Sequence, residues 1–295
     1  MANYKITCCS TVDMSREWME TNQIPFAMFH YQLNGKEYSD DLYSSISPEE
    51  FYQLIIDGAQ PVTSQVNTEE YRALFEPFLK QGMDVLHLTL SSGISGTINS
   101  ANAAKMQLEE EYPERQIIVV DSLGASSGYG MLVFQALDNQ KQGMSLSENA
   151  DWLEKNKLRV HHWFFSTDLT SYIRGGRISK TAGLVGQVLG ICPLLNMNCE
   201  GRLIPRTKYR GKKQVIRALL KQMEDHAQEG ADYSGRCFIS QSLCRADAEE
   251  VARLVEEHFP KLDGKVLIND IGTVIGSHTG PGTVALFFWG DERQL

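Results

Sequence analysis

The run Ser91-Ser92-Gly93-Ile94-Ser95-Gly96-Thr97 concentrates the side chains best suited to chemistry. It follows an apolar stretch, Val85 to Leu90, and a helix is expected to start near Thr97. Hydroxyls and backbone N–H groups then meet at a helix N-terminus, where the dipole favours an anion. The expectation is that something negatively charged sits there. The competing reading is that these serines only cap the helix. One cap needs one hydroxyl, whereas this run offers four counting Thr97; for Ser95 alone both readings stand. A second candidate is His278, beside Gly276, Thr279 and Gly280, where glycines allow close backbone approach and the ring can donate to an anion. A core or surface histidine is the equal alternative. A third is the hydroxyl-rich loop Pro61 to Asn67, with Thr63 and Ser64.

Motifs for covalent chemistry are incomplete. Gly93-Ile94-Ser95 begins a nucleophile elbow, but Thr97 stands where the last glycine belongs. Ser179-Lys180-Thr181 lacks the glycine that precedes a Walker lysine, and Gly128-Tyr129-Gly130 has Val133 in place of its third glycine. Gly280-Pro281-Gly282-Thr283-Val284-Ala285 fits the dinucleotide fingerprint by letter but leads into a strand-like run rather than a helix. His161-His162 suggests a metal, yet alternate strand faces point the rings apart. Six cysteines form no C-x-x-C pair and are expected as free thiols. Arg202, Arg206, Lys208, Arg210, Lys212, Lys213 and Arg217 make a basic stretch, read as a solvated face or as a docking patch for a phosphate or acidic partner.

The elements that position these groups follow from pattern. Strands are expected at Tyr4 to Cys9, Val85 to Leu90 and Gln116 to Val120, and Phe26 to Leu33 is expected to form a hairpin with Lys36 to Ser39 around Asn34-Gly35. Ser47-Pro48-Glu49-Glu50 is a capping box with proline at the first helical position. Further helices are expected from Thr68 to Gln81, Ser126 to Asn139 and Ser147 to Lys155. This alternation predicts a parallel, doubly wound sheet, whose ligands sit at the carboxyl ends of the strands. The second half reads as mixed or antiparallel α+β. Its strands are expected at Val160 to Phe165, Ile191 to Met197, Arg202 to Arg210, Arg236 to Gln241, Lys265 to Ile268 and Thr283 to Trp289. Thr167 to Ile173 is helix-like, Gly211 to Glu229 and Ala246 to His258 are helices, and Thr273 to Gly282 leads into the last strand. The boundary falls near residues 145 to 160, giving domains 1–155 and 156–295.

With 295 residues the chain is long enough for two α/β domains. A net charge of −9 argues against a nucleic-acid binder. No apolar run reaches a membrane span, and the polar N-terminus lacks a signal-peptide shape. A cytoplasmic protein without integral membrane association is the expectation.

Taken together, Ser10-Thr11-Val12-Asp13, Thr63-Ser64-Gln65, Leu90 to Thr97, Val120-Asp121-Ser122, Gly176-Arg177-Ile178-Ser179 and His278 to Gly282 resemble the DegV family of fatty-acid-binding proteins, in the family's order and nearly end to end. The resemblance implies an N-terminal α/β/α domain and a C-terminal α+β domain with a long-chain fatty acid between them. It implies that the carboxylate is held by Thr63 and Ser95, with Ser64, Ser92 and His278 close behind. It implies no catalytic residue, no metal and no cofactor beyond the bound lipid. Some family members present the lipid to a separate ATP-binding kinase subunit, which converts it to an acyl phosphate, a phospholipid precursor; Arg177 and Arg210 match arginines associated with that partnership. Two departures stand out. Val66 replaces a proline, which would loosen the loop. Cys9 replaces an aspartate, which would reduce repulsion of a bound anion or mark a different ligand. The rival readings are a serine esterase or stand-alone transferase, and a binder of another small anion. Apolar runs at Leu184 to Leu189, Ile191 to Leu195 and Leu286 to Phe288 are candidates for a tunnel wall or ordinary core.

Overall fold

The computed structural model describes residues 3–179 and 190–295. The Leu184 to Leu189 run and most of Ser179-Lys180-Thr181 lie outside the described residues. The first half runs β1 (Tyr4–Cys9), α1 (Arg16–Thr21), β2 (Phe26–Ala27), β3 (His30–Leu33), β4 (Lys36–Ser39), α2 (Pro48–Ile56), β5 (Val62–Ser64), α3 (Thr68–Lys80), β6 (Asp84–Thr89), α4 (Thr97–Glu111), β7 (Ile117–Asp121), α5 (Ser126–Lys141) and α6 (Leu146–Asn156). The second runs β8 (Val160–Ser166), α7 (Thr170–Arg174), β9 (Ile191–Met197), β10 (Leu203–Arg210), α8 (Lys212–His226), β11 (Cys237–Gln241), α9 (Arg245–His258), β12 (Leu267–Asp270), α10 (Thr273–Thr279) and β13 (Thr283–Trp289).

Strands β2-β1-β6-β7 form a parallel sheet of four, as the alternation predicts. Helices α3 and α4 cover one face, and α5 and α6 the other. The second half builds a six-stranded sheet in the order β10-β9-β8-β13-β11-β12. Only β11 and β12 run parallel there. Helices α8 and α9 pack on its outer face, and α5 lies against its inner one. This is the expected α/β class, with a parallel-sheet half and a mixed-sheet half.

Helix α5 is the layer between the two sheets. Every residue from Ser126 to Val133 is buried, so the helix needs small or apolar groups all round. A Cβ at Gly128 would strike His162 and Phe287 of the mixed sheet. One core cluster accordingly joins Ile6 and Leu88 of the parallel sheet, Leu132 of α5, and Leu195 and Phe287 of the mixed sheet.

Three local expectations change. Phe26–Ala27 does not extend the hairpin but pairs in parallel with Cys8 and Cys9, and only His30–Leu33 and Lys36–Ser39 form the hairpin. The Thr63 loop contains β5, which pairs antiparallel to β3, so a small third sheet runs β4-β3-β5. The segment at 273–282, for which no helix is expected, contains α10. Its Thr-Val-Ile-Gly sequence is poor in helix formers. Tertiary bonds make up the deficit: Thr273 Oγ1 donates to Asp40 at 2.8 Å, and Tyr43 and Tyr52 donate to the Ile271 carbonyl.

Candidate functional site

The Ser/Gly turn leaves β6 at its carboxyl end, as a doubly wound sheet requires. Its hydroxyls divide into two pairs. Ser91 is buried and donates to the Gly201 carbonyl at 2.8 Å, and Thr97 is buried with its Oγ1 2.7 Å from the Tyr71 hydroxyl. These two serve the fold. Ser92 and Ser95 line a cavity of about 740 Å³. Ser95 Oγ also accepts from the Thr97 N–H at 3.3 Å, a turn bond just before the helix, whose N-cap is Gly96 without a side-chain cap.

Thr63 and Ser64 reach the same cavity from β5, and His278 from α10. Thr63 Oγ1 lies 2.8 Å from His278 Nε2. Burial, with the nearby Arg177 and Arg174, pushes the His278 ring down to about 3, so it is neutral at physiological pH. Its Nδ1 has no partner among the described residues. The imidazole therefore pairs with Thr63, and among the described residues no hydrogen bond joins it to Ser95.

Arg177 belongs to this cavity as well. Its Nε and one terminal nitrogen donate to the Ile94 carbonyl at 3.2 and 3.1 Å. Burial lowers its pKa, and no carboxylate is recorded against it among the described residues. A half-buried guanidinium thus stands near the hydroxyls. Arg210, at the end of β10, is exposed and does not line the cavity. The polar end therefore combines hydroxyls, a neutral imidazole and one fixed cation, the donor set for a carboxylate or phosphate.

The rest of the wall is mainly apolar, with Asn99, Ser126, His162 and Thr283 among its polar members. Phe29 and Leu90 come from the first half, and Phe164, Met197, Leu203 and Phe287 from the mixed sheet. Period-two alternation explains why Ala285 and Phe287 face the cavity while Leu286 and Phe288 join the core under α8 and α9. The Ile191 to Leu195 run lies in the cores, and β9 meets the cavity through Met197. Tyr172 and Thr283 satisfy each other at 3.0 Å. The cavity volume is within the range of roughly 300–1,000 Å³ typical of ligand pockets.

Some residues flagged in the sequence lie elsewhere. Cys9 Sγ faces Tyr71 and His87, at 3.2 and 3.7 Å, and is fully buried. Burial pushes this thiol up to about 11. Cys9 does not line the cavity, so exchanging it for aspartate would charge the core rather than face an anion there. Val66 is likewise fully buried. His161 and His162 do point apart. His162 Nδ1 faces the Val160 carbonyl, and its ring lines the cavity. His161 Nε2 meets Asp291, to which His226 also points. The Trp163 N–H donates to His161 Nδ1, which places the ring proton on Nε2, toward Asp291. That trio is a hydrogen-bonded cluster in the observed arrangement.

Sequence reasoning missed the cavity roles of Arg177, Gln65, His162 and Tyr172. The Gly175-Gly176 dipeptide beside Arg177 was the available signal for one of them: a Cβ at Gly175 would collide with His278.

A family profile described as "uncharacterised protein, DegV family" matches residues 3–291. A DegV domain-containing protein of Clostridium perfringens is 37% identical over 294 residues, covering 100% of both chains. Among solved structures, a fatty-acid-binding DegV family protein from Thermus thermophilus is similar with TM-score 0.86 and 28% identity, over 98% of this chain and 99% of that one. The fatty acid kinase protein of Streptococcus pneumoniae loaded with linoleic acid shares the fold, with TM-score 0.84 and 20% identity over 99% of this chain and 100% of that one. No described helix is long and apolar enough to cross a membrane.

Proposed function

The chain belongs to the DegV family, and from that premise we propose that it holds a long-chain fatty acid and presents it to a separate ATP-dependent fatty acid kinase. The observation that carries this reading is one cavity that combines hydroxyls, an imidazole and a guanidinium with a mainly apolar wall drawn from both halves of the chain. The carboxylate sits among Thr63, His278 and Ser95, with Ser64, Ser92 and Arg177 around it. The acyl chain runs between a first domain at residues 1–155 and a second at 156–295. The protein itself is non-catalytic and cytoplasmic. The exposed Arg210 and its basic neighbours serve as the kinase-facing surface.

The energetics support the arrangement. Burying an acyl chain contributes about 0.8 kcal/mol per methylene. Burying the carboxylate would cancel much of that unless its oxygens were satisfied. Hydrogen bonds to a charged group contribute about 1.5–3 kcal/mol each, so two or three donors offset the head-group penalty.

Native mass spectrometry of the purified protein tests the reading. A co-purifying long-chain acid is expected, and a Thr63→Ala/Ser95→Ala double variant should stay folded and lose it. Unchanged occupancy in that variant would overturn the head-group assignment. Ester or ATP turnover by the protein alone, lost in Ser95→Ala, would overturn the non-catalytic role.

A further inference from the structure

Helix α10 carries His278 at one end and two carboxylates at the other. Its start is tied to the first half of the chain through Asp13 and Asp40, which are 3% and 0% exposed. Thr273 Oγ1 donates to Asp40 Oδ1 at 2.8 Å, and the Ser10 hydroxyl and Thr273 N–H support the same carboxylate. Asp13 Oδ2 accepts from the Ser126 hydroxyl, at the start of the helix that separates the sheets. The Gly272 N–H supports Asp13.

Gly272, having no side chain, lets both acids approach the same backbone. A Cβ there would lie 2.6 Å from Asp13 Oδ1 and 3.5 Å from Asp40 Oδ1, so the carboxylates flank the same backbone atom. Each also keeps one buried oxygen, Asp13 Oδ1 and Asp40 Oδ2, with no side-chain partner. The neighbouring ionisable groups do not help. Asp41, Asp270, Tyr31, Tyr43 and Tyr52 face the pair from the surrounding elements. Among the described residues no lysine, arginine or histidine is recorded against either carboxylate.

We propose that Asp13 and Asp40 share a single proton and that this protonated pair is the positioning device that sets α10, and through it His278, in the ligand-binding geometry. Two carboxylates desolvated side by side cannot both ionise at ordinary cost. Burial acts in that direction for both: Asp13, with Asp40 repelling it, rises well above the usual carboxylate range, and Asp40, with Asp41 nearby, is pushed up to about 6. At neutral pH Asp40 carries the charge, which suits the N–H groups opening α10, and Asp13 keeps the proton. Loss of that proton to solvent places two negative charges against Gly272. The start of the helix then loosens, and His278 drifts from Thr63. Asp13 and Asp40 touch no ligand; they act through the helix.

The inference rests on the fatty-acid reading for its ligand but not for its proton. Oleate affinity is measured from pH 6.5 to 9.5 in the wild type, Asp13→Asn and Asp40→Asn. Backbone hydrogen exchange at α10 is measured in the lipid-free proteins, corrected for base catalysis. Asparagine reproduces the shape and donor of a protonated aspartate. The wild type should lose about tenfold in affinity across this range, a coupling of ordinary allosteric size, and its α10 amides should exchange faster at high pH. Asp13→Asn should show neither change, and Asp40→Asn should remove the alkaline fall because only one acid remains. Wild-type affinity and exchange that are flat with pH would overturn the proposal, as would an Asp13→Asn profile parallel to the wild type. Absence of oleate binding by the wild type at pH 6.5 would instead sink the fatty-acid reading, and the exchange measurement would still decide the proton.

Discussion

Thr63 and His278 stand 215 positions apart in sequence and 2.8 Å apart in space. Neither carries a charge, so the pair accepts an anion only by donating hydrogen bonds. The ring's environment gives this a measurable sign. In the lipid-free protein burial and two arginines hold His278 down to about 3. A bound carboxylate beside it reverses that balance, because an opposite charge favours the protonated ring. Titration of the His278 resonances by NMR should therefore show a neutral ring through mild acid without lipid, and an upward shift with lipid bound. An unchanged titration on loading would place the head group elsewhere. Sequence alone could nominate His278 from its glycine neighbours but could not pair it with Thr63, since nothing local encodes a contact of that span. Arg177 was legible as a charge and illegible as a cavity residue, because its place depends on the Ile94 carbonyl that receives it.

At the scale of elements, the site depends on the hairpin β9–β10 resting on the Ser/Gly turn. A Cβ at Gly93 would collide with the Glu200 and Gly201 carbonyls, and Ser91 donates to Gly201. The atoms in the way are backbone and cannot rotate aside. Gly93→Ala should therefore push the hairpin from the turn and cost about 1–3 kcal/mol, in the range of overpacking. Denaturant unfolding measures the loss, and faster lipid dissociation should accompany it, because Met197 and Leu203 on that hairpin line the cavity. A variant as stable as the wild type would show that the turn and hairpin are free to part. The longer elements were readable from the sequence: β6 and β7 by their apolar runs, and α2 by a capping box that the structure completes. The elements missed were β5 and α10. The first has three residues and is defined by pairing with β3; the second has seven, most of them poor helix formers. Both owe their form to tertiary partners, and both carry head-group candidates.

The whole molecule buries histidines and acids that titrate against one another. Burial pushes His87 and His278 down to about 3 and His161 to about 4, and holds His162 well below its ordinary value. Each ring binds fewer protons folded than unfolded, so its contribution to stability is present above the ordinary value of 6.5 and is lost as pH falls toward the folded value. Asp13 and Asp40 have the opposite sign. Both are raised from 3.8, so their contribution is present in acid and is lost as pH rises, for Asp40 through about 6 and for Asp13 beyond it. Between about pH 4 and 6.5 the two groups compete, and four rings outweigh two acids. Above that window Asp13 titrates alone only until the thiols begin: burial raises Cys9 and Cys244 from 9.0 to about 11, so near their ordinary value the unfolded chain ionises first and stability falls further. Urea unfolding midpoints from pH 4 to 8, below the range in which the buried thiols ionise, should accordingly peak near pH ~6.5, with a steep acid limb and a shallow alkaline one. Asp13→Asn should flatten the alkaline limb and leave the acid limb in place. The steep limb cannot come from the lipid site alone: His87 and His161 lie outside the cavity, so it should persist in His278→Ala. A steep alkaline limb, or an acid limb abolished by His278→Ala, would mean that the buried groups do not divide the pH axis in this way.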